Sequence, residues 1–549
     1  MKKSLLALGA TAALGGLGFS GAAHALWAVQ PADTAEATTL SVATDTGVGH
    51  ILVTPYFSTS AQNGTLLSVV NTDTQNGKAV KVRFRGAANS DDVLDFTVLL
   101  SPYDVWTASV SQGEDGYSVL TSPDSSCVLP SRPTNGVKFR DFRLDQTLSA
   151  EAKAAHTQEG YVEWLNMADI AEGSALFKTI KHSNNVAECN TDLMDALMAP
   201  TTIYSEGQAS AFGLVPPTGG LMGNWSIYNN QNVTSYGGSS TAIVALNDAV
   251  DPPVPAAGRL FFAPQIGTQV STLTVPNTID GGFGETADPL LANAAAGGDQ
   301  IIDLLAFDLP DLSTPYVSGH ATAPEQSTAL SAAIAATSVM NEWTAGSSDG
   351  VDFSTDWVFS QPTRRYHAAV DYTNKVGNVV TPVAVYNSLS SPFYYPSTSM
   401  TEKVSGVDGM YGTVLCLADG QVTYRAYNRE ETYTRATFEG DWSPGLPPDV
   451  QPGFCGEVAT LTFGSTESKA LNAKLTTFEV QGLPDGGAGW MSAATPGQDG
   501  FGLPVIGFAA NTFSAANGSN VGNYGDAITH RYVRPTVPAP VITPDEGGF

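Results

Sequence analysis

Lys78-Ala-Val-Lys-Val-Arg-Phe-Arg85 is the stretch that decides the fold class. Val80, Val82 and Phe84 alternate with Lys81, Arg83 and Arg85. Alternation with period two marks a β-strand and predicts one buried face and one face in water. Asn76-Gly77 stands just before it. Both residues tolerate positive φ, so the pair predicts a hairpin with the preceding run, 65–70. Residues 51–57, 94–100 and 105–110 are further short β-type runs, the last two separated by the turn Ser101-Pro-Tyr-Asp104. Short strands divided by polar turns predict a mainly β chain of two or three β-sandwich-like units, with the immunoglobulin-like sandwich as one form.

The composition agrees. Hydrophobic residues make up 42% of the 549, enough for a large core, and charged residues only 14%. The formal net charge is −28. Excess acid disfavours nucleic acid as a partner, since a phosphate backbone requires clustered Lys and Arg. Residues 182–363 hold 18 acidic residues and one basic residue, Arg259. Such a field repels anionic polymers and attracts divalent cations.

Lys2 and Lys3, an apolar stretch over 5–19 and Ala23-His24-Ala25 read as a signal peptide over 1–25, so the chain is expected to be exported. No later apolar run is long enough to span a bilayer as a helix. In an oxidising compartment four cysteines read as two disulfides. Three pairings exist. Neighbour pairing, Cys127 with Cys189 and Cys416 with Cys455, closes the shortest loops, whereas either crossed pairing ties together parts more than 220 residues apart, so it is the expected one.

The expected organisation is a flexible or edge-pairing lead over 26–45, an N-terminal β domain over 46–250, an acidic central β region over 251–442, a C-terminal β region over 443–534 and an extended tail over 535–549. Pro-rich linkers stand at 251–255 and 443–448. Helices are few: one over 190–198, and one over 325–343, where Leu330, Ile334, Val339 and Trp343 recur at roughly helical spacing. A weaker helical pattern covers 288–305.

No motif carries an enzyme. Gly346-Ser-Ser-Asp-Gly350 matches G-x-S-x-G, but polar residues follow it where a nucleophile elbow needs a helix. The histidines His50, His156, His182, His320, His367 and His530 are scattered, with no metal-ligand spacing. The pairs Asp91-Asp92 and Glu430-Glu431 are ordinary for this composition. Calcium is the ligand the pattern favours most. Asp349, Asp352 and Asp356 form one candidate site, and the loop Asn71-x-Asp73-x-Gln75-Asn76-Gly77 is a second that reads better as a plain turn. Trp106, Trp164, Trp225, Trp343 and Trp357 lie in or beside apolar runs and read as core; an exposed aromatic row would instead suit carbohydrate.

Several segments together resemble a group of large exported proteobacterial proteins described as cell-surface or hypothetical proteins. They are Leu66-Leu-Ser-Val-Val-Asn-Thr-Asp73, Lys78 to Gly86, Leu100-Ser-Pro-Tyr-Asp-Val-Trp106, Asp356-Trp-Val-Phe-Ser-Gln-Pro-Thr-Arg-Arg-Tyr366 and Gly502-Leu-Pro-Val-Ile-Gly-Phe508. The resemblance implies an exported or surface protein of a Gram-negative bacterium and brings no catalytic residues with it. The expected function is a non-enzymatic cell-surface or extracellular-matrix structural protein that associates with itself or with other surface components. The alternatives are a secreted hydrolase with unassigned carboxylates and a carbohydrate- or calcium-binding surface module.

Overall fold

The strand Gly77–Gly86 is buried along its whole length, on both faces. This is the main departure from the sequence reading, and the architecture explains it. The computed structural model describes residues 26–131, 136–198, 202–204, 206–263, 265, 310–372, 375–376, 379–380, 382–386, 393–394, 400–405, 412–417, 422–433, 454–480, 482–497, 500–515 and 523–535. The signal peptide over 1–25, the helical pattern over 288–305, the linker at 443–448 and all of the tail beyond 535 lie outside the described residues.

The chain is mainly β, with sheets stacked in sandwich-like layers and a few short helices. One sheet runs, in spatial order, Val254–Pro255, Thr241–Asn247, Ile51–Ser58, Glu159–Ile170, Gly77–Gly86, Asp92–Leu100 and Cys127–Leu129. A second runs Val137–Lys138, Ser118–Thr121, Val105–Gln112, Asn63–Asn71, Leu221–Asn229 and Thr234–Ser239. Val80, Val82 and Phe84 face the second sheet and share a core with Trp106, Trp164 and Trp225. The Trp106 and Trp164 rings meet edge to face at 6.1 Å. Aromatic side chains of this size carry most of the apolar area that a sandwich core removes from water.

Asn76-Gly77 does not close a hairpin. Asn63–Asn71 pairs with Val105–Gln112 and Leu221–Asn229 in one sheet, and Gly77–Gly86 pairs with Asp92–Leu100 and Glu159–Ile170 in the other. The turn therefore carries the chain between layers. A Cβ on Gly77 would come within 2.8 Å of Ile180 and of the Leu100 carbonyl, so close approach rather than hairpin geometry requires glycine here.

The lead over 26–45 pairs as strands instead of standing flexible. Leu26–Val29 is the middle strand of a three-stranded sheet, and Thr39–Val42 pairs with Thr241–Asn247. Strand addition ties the segment down.

A third large sheet is built from the second half of the chain. Its order is Thr423–Asn428, Ala488–Ala494, Ser338–Ser348, Val351–Ser360, Val458–Phe463 and Thr477–Val480, with Ile506–Ala515 also paired to Val351–Ser360. The helix expected over 325–343 occupies Ala323–Ile334. Thr322 and Glu325 form its capping box. Val339 and Trp343 belong instead to the strand Ser338–Ser348. That strand turns through Asp349 (φ 52°) and Gly350 (φ 80°) into Val351–Ser360. Two successive positive φ values match the right-handed twist of a tight hairpin. The serine motif at 346–350 is thus a hairpin tip with a strand on each side. The helix over 190–198 is found as Thr191–Met198, with the Asn190 side chain accepting from the Leu193 amide. Both disulfides form as expected, Cys127–Cys189 and Cys416–Cys455.

The two halves share one core. Val358, Val458, Ala470, Ile506 and Phe508 pack with residues of the first two sheets. The Trp225 and Phe508 ring centroids are 4.5 Å apart. The Asn63 amide donates to the Leu471 carbonyl at 2.6 Å, Tyr236 donates to the Ala470 carbonyl at 2.8 Å, and the Lys474 amide donates to Glu159 at 2.8 Å.

Candidate functional site

The side chains predicted to face water are sealed under the second half of the chain. Lys81, Arg83 and Arg85 are fully buried. Removing a cation from water costs several kcal/mol unless it is paired, and every one of them is. Lys81 binds Asp95 and Gln265; Arg83 binds Asp92 and donates to the Pro310 carbonyl at 3.2 Å. Arg85 binds Glu163 at 3.2 Å, lies 3.7 Å from Asp311, and donates to the Ser90 carbonyl at 3.3 Å. Arg365 reaches the same Ser90 carbonyl from the second half. A similar pair, Arg364 with Glu457 at 3.2 Å, lies beside it, and the Arg364 guanidinium also donates to the Leu415 and Gly456 carbonyls.

Burial pushes the Glu163 carboxyl upward against the pull of Arg85 and Arg83, and it does the same to Glu457 against Arg364. Desolvation raises Asp91 to about 7, opposed by the hydrogen bond from Tyr372. Shifted groups of this kind mark active sites when they line a cleft. Here Glu163 and Glu457 are buried in the seam between the halves, and the half-buried Asp91 is tied across it by Tyr372. Their arrangement does structural work: it holds one half of the chain on the other.

The acidic trio is not brought together. Asp349 and Asp352 are exposed at the hairpin, whereas Asp356 is buried. One Asp356 oxygen accepts from the Ser468 hydroxyl at 2.7 Å and from the Ala470 and Leu471 amides at 2.9 and 2.8 Å. Desolvation raises its pKa to about 6. Asp356 is thus committed to the loop 468–471, which touches the first half. No group of three or more His, Cys, Asp or Glu able to hold a metal ion occurs among the described residues. In the loop 71–77 the cation place is already filled: Asp73 binds the Lys78 ammonium at 2.9 Å and caps the Gln75 and Asn76 amides.

The histidines divide by burial. His50, His367 and His530 are lowered by desolvation to about 3. At His530, Nδ1 accepts from the Asn341 amide nitrogen and Nε2 donates to the Val358 carbonyl. At His50, Nδ1 accepts from the Ala245 amide and Nε2 donates to the Ala256 carbonyl. Both rings are wired in the neutral form.

Two accessible features among the described residues bear on function. The first is an open cleft of about 650 Å³ between the turn at Asn232–Thr234 and the hairpin of the third sheet. It is lined by hydroxyl and amide groups, Phe353, Lys469 and Asp352, the single carboxylate among its described lining residues. Glycoside hydrolysis by a carboxylate pair requires two.

The second was not visible in the sequence reading. The five tryptophans named above are buried, but Trp490 is 44% exposed. It lies on the outer face of the third sheet, across from Tyr427 on one side and Glu342 on the other. The Trp490 and Tyr427 rings stack 4.6 Å apart at 11°, and Tyr433, 46% exposed, leans on Tyr427 at 5.6 Å. Gly489 permits this pairing, since a Cβ there would sit 1.7 Å from the Tyr427 carbonyl oxygen. The same face carries Arg425 opposite Ser492, then Met340, then Arg531.

No helix among the described residues is long and apolar enough to cross a membrane. No protein-family model, no curated protein and no solved structure matches the chain.

Proposed function

We propose that this chain is a non-enzymatic structural protein of a bacterial cell surface or extracellular matrix, exported and self-associating. The observation that carries this reading is the division of chemistry between inside and outside. The ion pairs of Arg83, Arg85 and Arg364, the shifted Asp356 carboxyl and the neutral histidines His50, His367 and His530 lie in the interior, with Arg85 and Arg365 sharing the Ser90 carbonyl across the two halves. The accessible surface offers instead a rigid β face bearing aromatic and arginine side chains. Two disulfides fit an oxidising compartment and a fold that must persist outside the cell. The resemblance to exported proteobacterial surface proteins points the same way. Electron microscopy of the native cell surface and of the purified chain tests the reading. Lattices or filaments are expected; uniform single particles with hydrolytic activity overturn it.

A further inference from the structure

We propose that the outer face of the third sheet, centred on Trp490 and Tyr427 and flanked by Arg425 and Arg531, is the surface on which a second copy of this chain docks. This rests on the self-associating reading above and names its contact surface.

Three observations converge on a second copy. The face is rich in the side chains that interface cores concentrate, namely Trp, Tyr, Arg and Met, here Trp490, Tyr427, Arg425, Arg531 and Met340. It lies beside Thr423–Asn428, which pairs along its length with Ala488–Ala494 and, among the described residues, is met on its other side by the turn at 428–433 through the Tyr427–Tyr433 bridge. It is preorganised. Trp343, buried below, donates to the Trp490 carbonyl at 3.3 Å, and the stacked rings fix each other, so little ordering is required on association.

Charge gives the third. The molecule carries a net −28, and many of its cations are spent inside: Lys78, Lys81, Arg83, Arg85, Arg259 and Arg364 are all fully buried. Arg425 and Arg531 are exposed, on a face whose described strand residues carry one acid, Glu342, with Glu430 and Glu431 in the turn beyond its rim. A basic aromatic face on an acidic molecule is complementary to the remaining surface of its own copies. Contact between two different patches is head-to-tail and extends into rings or filaments.

A sugar chain fits less well. Tyr427 lies between Trp490 and Tyr433, so its faces are occupied, and the outer face of Trp490 is left as the open stacking surface. A polysaccharide platform presents several open ring faces in a row.

The test is sedimentation velocity of the full chain over a wide concentration range, with Trp490→Ser and with Arg425→Glu. The native chain is expected to associate, more weakly as salt rises. Trp490→Ser is expected to weaken association about thirtyfold or more, as loss of a central aromatic anchor does. Arg425→Glu keeps the rings and tests the charge, and unchanged melting of both variants shows that they fold. If the native chain associates and both variants associate equally well, the face is overturned while the self-associating reading stands. If the native chain stays monomeric throughout, both fall. Binding of an acidic or neutral polysaccharide that is lost in Trp490→Ser, without any association, overturns the second copy in favour of carbohydrate.

Discussion

Glu163 stands directly across from Arg83 in the strand register, yet its carboxylate binds Arg85, one step along the same face. The diagonal choice frees Arg83 for Asp92 and lets the Arg85 guanidinium also approach Asp311. The result is a ladder of ions across three adjacent strands, closed from above by a segment from the second half.

Cutting this ladder on one side is expected to be costly. Glu163→Gln or Arg85→Met should each lower stability by about 3–5 kcal/mol, because each leaves an uncompensated buried partner. The double variant should lose less than the sum of the two. Urea unfolding of the three variants, with the slope unchanged, checks both statements.

The share of stability supplied by His50 and His530 should fall on the acid side from about pH 6.5. His50 and His530 are held neutral at about 3 in the fold, below their ordinary 6.5. Their contribution is complete above 6.5 and is lost as pH falls toward 3, because the unfolded chain takes up the protons first. His530→Gln should flatten that limb in a melting series across pH.

Asp356 acts in the opposite direction. Its folded value of about 6 exceeds the ordinary 3.8, so its contribution is complete below 3.8 and is lost as pH rises through 6. The full difference is about 3 kcal/mol. Asp356→Asn should therefore gain on the native chain by up to that amount between pH 4 and 7. A constant difference across that range would remove the assignment.

Calcium and sodium chloride at matched ionic strength are expected to give equal melting temperatures. Asp349 and Asp352 are exposed at the hairpin, whereas the Asp356 oxygen is taken by Ser468, Ala470 and Leu471. A calcium-specific rise, abolished by Asp352→Asn, would contradict this.

Non-reducing peptide mapping should recover Cys127–Cys189 and Cys416–Cys455 and no crossed pair. Reduction should cost up to about 4 kcal/mol per bond on the loop-closure account.

The early strands were legible because apolar alternation and turn residues are local signals. Their environment was not. Lys81, Arg83 and Arg85 look solvent-facing in a window of eight residues; their partners Asp92, Glu163 and Asp311 come from three separate segments. Val339 and Trp343 fit a helical spacing by chance, and the signal that would have corrected this was Asp349-Gly350, a hairpin dipeptide after a run in which Val339 and Trp343 also share one face of a strand. Trp490 carries no mark of its exposure in the sequence, because exposure is a property of the layer above a strand and sequence does not say which faces remain uncovered. The disulfides were legible since neighbour pairing closes the shortest loops, 62 and 39 residues in sequence.

The closure of the Gly77–Gly86 face has a consequence for biogenesis. Arg83 receives its carbonyl partner from Pro310, 227 residues later, and Ser90 receives Arg365 later still, 275 residues on. A polypeptide emerging from its N-terminus would complete its first two layers while a row of cations still lacked its roof. Contacts of such sequence separation form slowly, and uncovered sheet surface in the interval invites misassembly. A fragment ending near residue 250 would keep most of those strands but lose this cover. Any partner that shields the growing chain must act before the second half arrives.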